Sequence, residues 1–267
     1  MKINFIYIFT KHNLLFIEHT KNINKLRGEI ALKKKFFKLI VYCTILISLI
    51  NIIQIKPMAS DNKKIIYITF DDGPGGKITS ETLDILKEEN VPATFFLIGG
   101  QIKNQEALVN RIKEEGHSLG LHSMSHNQNK LYCSNISFLN EMLEAQKVIE
   151  NVTGERTNIL RFPFGCNNQR YHLKNDLVDL LHENNLKIYD WNVDSTDGAN
   201  PTAPPETFIK HAKSDKDTIT LLMHCGFQNK NSPKALPQII KYYKEQGYEF
   251  RRITTDTDEV FHFIKKR

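Results

Sequence analysis

The chain has 267 residues, 40% hydrophobic and 25% charged, with 13 glycines and 9 prolines, which excludes a disordered, collagen-like or polytopic membrane protein. Its formal charge of +6 is unevenly spread: residues 1–60 hold ten basic and two acidic side chains, leaving residues 61–267 at −2. The larger part therefore has no basic excess with which to neutralise phosphates, and no nucleic-acid partner is expected.

Residues 1–32 are an extension rich in Asn, Ile, Lys and Phe, to which no function is assigned; translation starting near Leu32 would account for it. Lys33-Lys34-Lys35 and Lys38 then precede an apolar run from Leu39 to Ile53, broken only by Thr44, Ser48 and Asn51. Basic residues before an apolar run are the layout of a secretory signal, so residues 33–60 are predicted to be a signal peptide or a membrane anchor. The run is short for a span of about 17–25 residues, although Phe36 to Ile55 would suffice, and Pro57-Met58-Ala59 is a poor cleavage site, so both fates stay open. In either case residues 61–267 are expected to lie outside the cell, secreted or anchored to the membrane.

From residue 64 short apolar runs alternate with helical patterns. Strands are predicted at Ile65–Phe70, Thr94–Ile98, Ser118–Leu121, Ile159–Phe162, Lys187–Asp190, Thr218–Met223 and Glu249–Ile253. Helices are predicted at Ser80–Asn90, Gln105–Glu115, Ser137–Thr153, Lys174–Asn184, Pro205–Lys213 and Lys234–Gln246, with Gly116, Gly154 and Gly247 as stops. This alternation is α/β with a parallel sheet. Roughly 200 residues are too few for an eight-unit barrel of about 250, so a distorted, incomplete (β/α) barrel of about seven strands is expected, with an open doubly wound sheet as the alternative. Cys43, Cys133, Cys166 and Cys225 show no C-x-x-C spacing; three of them fall after residue 60, an odd number that argues against a disulfide framework.

The residues that carry chemistry cluster at strand ends. Asp71 and Asp72 end the first strand before Gly73-Pro74; on an extended chain their carboxylates point to opposite faces and suit two different tasks. His122 and His126 follow the third strand, and at i and i+4 they meet on one face of a helical turn; with one carboxylate they make a three-ligand zinc set. Arg161 opens Arg161-Phe162-Pro163-Phe164 and could pair with Asp71, while Pro163 restricts the backbone that follows. Asp194 and Asp197 lie after the fifth strand and His224 at the end of the sixth, where a carboxylate can fix the imidazole's tautomer and raise its basicity.

In this order, Thr69-Phe70-Asp71-Asp72-Gly73-Pro74, His122-Ser123-Met124-Ser125-His126, Arg161-Phe162-Pro163-Phe164, Asp194-Ser195-Thr196-Asp197 and Leu222-Met223-His224 resemble the motifs of the polysaccharide deacetylases, the NodB homology domain of carbohydrate esterase family four. The resemblance spans about residues 63–255, within a predicted domain of residues 61–267. It implies a hydrolase that removes acetyl groups from N-acetylglucosamine polymers, most of all peptidoglycan, with chitooligosaccharide and acetylxylan as alternatives. It makes Asp72, His122 and His126 the ligands of one divalent metal, zinc by donor type, with cobalt or nickel as substitutes. Asp71 becomes the general base, oriented by Arg161, and His224 the general acid, assisted by Asp197 or Asp194 with Asp197 favoured. The Phe164 N–H, after Pro163, would line the oxyanion site, and Leu222 would face the acetyl methyl. A monomer acting on a polysaccharide is expected.

The sequence departs from the family at Gly198, where the family usually has Trp after the second Asp. The expectation is a more open pocket there, with Trp191 packed beneath the strand. That departure slightly favours a non-catalytic glycan-binding domain. A glycoside hydrolase is disfavoured, because neighbouring carboxylates on a strand do not converge on one bond.

Overall fold

The computed structural model describes residues 27–28, 32–44 and 63–262, in two compact units, Met1–Asp61 and Asn62–Arg267. In the first unit a helix runs over residues 32–44 with its side chains exposed. It takes in the lysine cluster and the start of the apolar run. The rest of the run, the cleavage region and residues 1–26 lie outside the described residues. Among the described residues, no helix is long and apolar enough to cross a membrane.

The second unit is an α/β fold whose strands are all parallel. In chain order it comprises β1 (Ile65–Gly73), α1 (Lys77–Glu89), β2 (Thr94–Leu97), a 3-10 turn (Gly99–Gln101), α2 (Glu106–Glu114), β3 (Ser118–Leu121), α3 (Gln128–Leu131) and α4 (Asn135–Thr153). There follow β4 (Ile159–Leu160), α5 (Asn175–Glu183), β5 (Lys187–Ile188), β6 (Val193–Asp194), α6 (Pro205–His211), β7 (Thr218–His224), α7 (Ser232–Glu245) and β8 (Glu249–Arg251). The strands pair in the order β5-β4-β3-β2-β1-β7-β6, with β8 beside the start of β1. Read around from β1 this order is cyclic, with β7 returning to β1, so the sheet curls toward closure. A doubly wound sheet would instead reverse direction about its middle. Closure stops between β5 and β6, and the C-terminal segment covers that edge of β5: Val260 bridges Tyr189 in parallel and its N–H donates to the Ile188 carbonyl at 3.2 Å.

The period of two along β1 divides the interior into two cores. Ile66, Ile68 and Phe70 join the larger core under the helices, to which α4 contributes Phe138, Leu139, Met142, Ala145 and Ile149 from one face. Tyr67 turns the other way and packs with Phe96, Ile159, Tyr189 and Ile253 inside the curl. Thr69 and Asp71 share Tyr67's side of the strand, so the interior leads up to the site.

All seven predicted strands are present. The sequence reading missed β6, whose two residues pair with Leu221 and Leu222 of β7, and also the 3-10 turn and α3. β4 and β5 are shorter than predicted, two residues each, although Arg161 N–H and Tyr189 N–H still donate to the neighbouring strands' Leu121 and Leu160 carbonyls at 3.0 and 2.8 Å. Helix α1 begins at Lys77 and not Ser80, since Gly76 and not a hydroxyl residue stands at its N-cap.

Candidate active site

The C-terminal ends of β1, β3, β4, β6 and β7 bring together Asp71, Asp72, His122, His126, Phe164, Leu222 and His224, which line a cavity of about 300 Å³ with Trp191, Asp194 and Gly198. Functional side chains gather at this end of a parallel barrel because its loops are free to vary while the strands hold their bases.

Asp71 keeps the strand's geometry, but Asp72 does not: its φ is 65°, and the β1–β2 register shifts between Phe70 and Gly73. The two carboxylates therefore do not diverge as an extended chain would make them. Asp72 Oδ1 lies 3.4 Å from His122 Nε2 and 3.3 Å from His126 Nε2, while Asp71 Oδ2 lies 3.7 Å from the same His122 nitrogen. Helical geometry is also absent from the histidine pair. Ser123 and His126 take positive φ of 67° and 52°, and this left-handed turn brings the rings to 5.1 Å between centroids.

Two non-glycine residues in that region are costly, on the order of 1–3 kcal/mol each, and persist only where surroundings hold them. Here the Gly99 and Gly100 N–H groups donate to the Ser123 and Met124 carbonyls at 2.9 and 2.8 Å, and Ser123 Oγ accepts from His126 N–H at 2.9 Å. The buried Glu141 carboxylate accepts from both the N–H and the hydroxyl of Ser125 at 2.8 Å, and Lys130 pairs with its other oxygen. Burial raises the Glu141 pKa, but these partners outweigh it and leave the group below the usual range. Sequence reasoning missed Glu141, although an acid flanked by Phe138, Met142 and Ala145 on the buried face of a helix was a signal.

The hydrogen bonds decide which atoms lack protons. His122 Nδ1 lies 3.1 Å from the Arg161 carbonyl, an acceptor only, so the neutral ring carries its N–H there and turns its lone pair on Nε2 to the cavity. That lone pair faces the Asp72 oxygen, which is buried and has no hydrogen-bond partner. Burial pushes the Asp72 carboxyl up, but the imidazoles around it, His122 first and then His224 and His126, outweigh that and hold it well below the usual carboxylate range. Burial, with the His122 ring beside it, lowers His126 to about 4. Asp72, His122 and His126 thus present three ligand atoms within 4.8 Å of one another, a group that fits a divalent cation and is poorly satisfied without one.

Arg161 is fully buried and not a surface arginine. Its guanidinium donates to Asp71 Oδ1 at 2.9 Å, Thr69 Oγ1 at 2.6 Å and the Tyr189 and Asp190 carbonyls at 2.7 and 3.1 Å, lying 4.3 Å from the Phe96 ring centroid. At Phe164 the chain turns with φ 66°, and Gly165 N–H closes back on the Phe162 carbonyl. Among the described residues no protein acceptor takes the Phe164 N–H. The Phe164 ring is half exposed and 4.6 Å from that of His126, and Tyr132 donates to the Pro163 carbonyl.

Across the cavity, His224 Nδ1 is 2.8 Å from Asp197 Oδ1 and its backbone N–H donates to Oδ2 at 2.9 Å. Ser195 and Ser232 hydroxyls also donate to Asp197, and Asn229 to its carbonyl. Asp194 is exposed, and its carboxylate accepts from Thr196 N–H at 2.7 Å. Burial lowers the His224 pKa, but the Asp197 hydrogen bond and charge outweigh it and carry the group up to about 9.

Gly198 lines the cavity and packs on His224: a Cβ there would fall 2.3 Å from His224 Cε1, so the glycine is the close packing surface of that imidazole. One expectation about the cavity wall is overturned. Trp191 is not tucked beneath the strand; it lines the cavity, with its ring against Gly165 and 5.7 Å from the Arg161 guanidinium. Cys225 is buried beside Gly73 and outside the Asp72, His122 and His126 group, as a structural thiol would be.

The family model for polysaccharide deacetylase matches residues 59–180. A peptidoglycan N-acetylglucosamine deacetylase of Bacillus cereus is 39% identical over 194 residues, covering 70% of this chain and 68% of the relative. The crystal structure of a Bacillus cereus polysaccharide deacetylase is similar at 36% identity and a TM-score of 0.67, over 76% of this chain and 98% of that one. The catalytic domain of the Eubacterium rectale peptidoglycan N-acetylglucosamine deacetylase has a TM-score of 0.67 at 32% identity, over 76% of this chain and 94% of its own. With its fold and the polar cluster at its strand ends, the chain belongs to the polysaccharide deacetylase family.

Proposed function

We propose that the chain hydrolyses the N-acetyl groups of an N-acetylglucosamine-containing polysaccharide, peptidoglycan before chitooligosaccharide or acetylxylan, using one divalent metal held by Asp72, His122 and His126. The observation that carries this reading is three ligand atoms within 4.8 Å of one another beside an Arg161-held Asp71, facing an Asp197-paired His224 across one cavity. Two imidazoles and a carboxylate suit zinc, with cobalt or nickel as substitutes. When bound, such an ion supplies Lewis acidity toward a carbonyl oxygen and toward water.

The rest of the work falls to the chain's own residues. Asp71 takes a proton from the attacking water through the oxygen that Arg161 leaves open, Oδ2. Arg161 fixes the rotation of that carboxylate, and Thr69 shares the same guanidinium nitrogen. The Phe164 N–H is available to the developing oxyanion, a contribution typically worth ~2.7–4 kcal/mol of barrier. His224 carries a proton at neutral pH and presents Nε2 to the leaving amine, which would otherwise depart as a very poor anion. Leu222 gives the cavity an apolar surface for the acetyl methyl, and Trp191 walls it in place of any side chain at position 198. Asp194 is assigned to the loop turn and Asp197 to His224.

Against the non-catalytic glycan-binding alternative stand the presence of every acid, base and ligand position and the packing of Gly198 on the His224 imidazole. Relatives acting on peptidoglycan support a wall-facing location, as does the basic and apolar N-terminal pattern, and a monomer suffices because one unit supplies every site residue. The test is acetate release by the full-length chain from N-acetylated peptidoglycan, chitooligosaccharides and acetylxylan, before and after chelation and zinc re-addition. Acetate from peptidoglycan that stops with chelator and returns with zinc is expected. No acetate from any of the three, despite stoichiometric metal, would overturn the reading.

A further inference from the structure

A second set of metal-type donors lies where the C-terminal segment crosses the β5 edge. Cys166 Sγ, an Asp190 carboxylate oxygen and an imidazole nitrogen of His262 all lie within 4.8 Å of one another. These residues were not singled out together in the sequence, because 24 positions separate the first two and 72 the last two. Asp190 follows Tyr189, so its side chain leaves the sheet on the opposite face from the catalytic interior. There it meets Cys166, which belongs to the core under the helices.

The detail that asks for a ligand is Asp190. One carboxylate oxygen accepts the Cys166 N–H at 3.1 Å; the other is buried and has no partner, in a residue only 4% exposed. A buried carboxylate oxygen left without a donor is unfavourable, and a coordinated cation removes that cost. The Arg161 guanidinium does not supply it, since it bonds the backbone carbonyl of Asp190. The surroundings are arranged as a metal's outer partners would be. Asn167 Nδ2 lies 3.4 Å from the Cys166 sulfur and donates to the His262 carbonyl at 2.6 Å, fixing both flanking ligands.

We propose that Cys166, Asp190 and His262 bind a second divalent transition-metal ion, zinc by donor type, that clasps the C-terminal segment to the loop after β4. One thiolate, one imidazole and one carboxylate are zinc donors, and a tetrahedral site would draw the three to roughly 3.3–3.7 Å apart. His262 is exposed, so it has room to close that gap, and solvent completes the fourth position. On coordination the thiol gives up its proton to solvent, and the ion takes over a sulfur that burial otherwise keeps protonated, with its pKa pushed up to about 12. The clasp begins two residues after Phe164, so it would steady the loop that walls the catalytic cavity while touching no reacting atom.

The test counts metal and needs no acetate, so its failure is distinct from failure of the deacetylase reading. The full-length chain is stripped with chelator and titrated with cobalt. Two equivalents are expected, one of them with the intense near-ultraviolet thiolate-to-cobalt absorption that a site of two imidazoles and a carboxylate cannot give. Cys166→Ser should lose that band and one equivalent. His262→Ala, an exposed substitution that leaves the core intact, should lose the same equivalent, whereas Asp72→Ala should keep the band. A wild-type chain that binds one equivalent with no thiolate band, or a band unchanged in Cys166→Ser and His262→Ala, would overturn the proposal.

Discussion

The two walls of the candidate active site are built on opposite principles. On the His224 side every buried polar atom of Asp197 has a donor, from the imidazole, the His224 N–H and two serine hydroxyls, so the pair is complete as the chain folds. On the Asp72 side the Asp72 oxygen is buried and unpartnered, 3.4 and 3.3 Å from the His122 and His126 Nε2 atoms. In the proposed reaction the first is a proton donor set in advance, and the second is completed by a cation. Removing groups from the two walls should therefore give different failures, one of metal content and one of turnover alone.

The largest effect is expected on the incomplete wall. Asp72→Ala should lose both bound metal, read by elemental analysis, and detectable acetate release. Asp71→Asn sharpens the contrast: it should retain metal and lose about 10²–10⁴-fold in kcat, the usual share of a general base. A metal-replete Asp71→Asn enzyme with full activity would break the division of tasks between the neighbouring carboxylates. On the complete wall, Asp197→Asn should keep metal and lose about 10²-fold, the lower end of the same range, by withdrawing the charge that keeps His224 protonated.

Gly198 tests the packing of that wall. A methyl at this position must displace the His224 ring, because its ideal position is 2.3 Å from Cε1. Gly198→Ala should reduce kcat by about tenfold or more with metal content unchanged, within the range of general-acid catalysis. An unaffected kcat would show that the imidazole can move without cost.

The same wall sets a pH dependence of stability. His224 stands at about 9 in the folded chain against 6.5 for an unperturbed imidazole, so folding favours its protonated form. The stabilisation is fully present below pH 6.5 and is lost as pH rises through 9, a change on the order of 3 kcal/mol for that difference. Asp197, Asp71 and Asp72 are the charges that face it. In chelator-treated protein, denaturant midpoints should therefore fall between pH 6.5 and 9 in the wild type and fall much less in Asp197→Asn.

Much of this site was legible in the sequence because strand ends are marked by short polar motifs after apolar runs. Asp71, Asp72, His122, His126, Arg161 and His224 all sit where such runs stop. What was not legible is backbone geometry. The pair at 71 and 72 was read as extended and diverging, whereas φ of 65° at Asp72 turns its carboxylate back toward His122. The histidine spacing suggested a helical turn, whereas two left-handed residues make the approach. Gly198 looked like a loss and is a close approach, because only the folded chain shows what lies against it. Asp190 and His262 meet through the Val260 crossing of the β5 edge, a long-range contact that no local pattern encodes.

The smallest effect expected belongs to Glu141, which touches no reacting group. Its carboxylate holds Ser125 through two hydrogen bonds, and Ser125 lies in the left-handed turn that aims His126 at Asp72. Hydrogen bonds to a charged group are worth about 1.5–3 kcal/mol. Glu141→Gln, which keeps the shape and a neutral acceptor, should cost about 1–2 kcal/mol of stability and weaken metal binding, with kcat nearly normal once metal saturates. That split distinguishes a positioning residue from a general loss of folding, because a merely destabilised enzyme would show unchanged metal affinity in its folded fraction. It also places the origin of the incomplete wall outside the cavity, since the geometry of His126 is set by a helix residue beneath it.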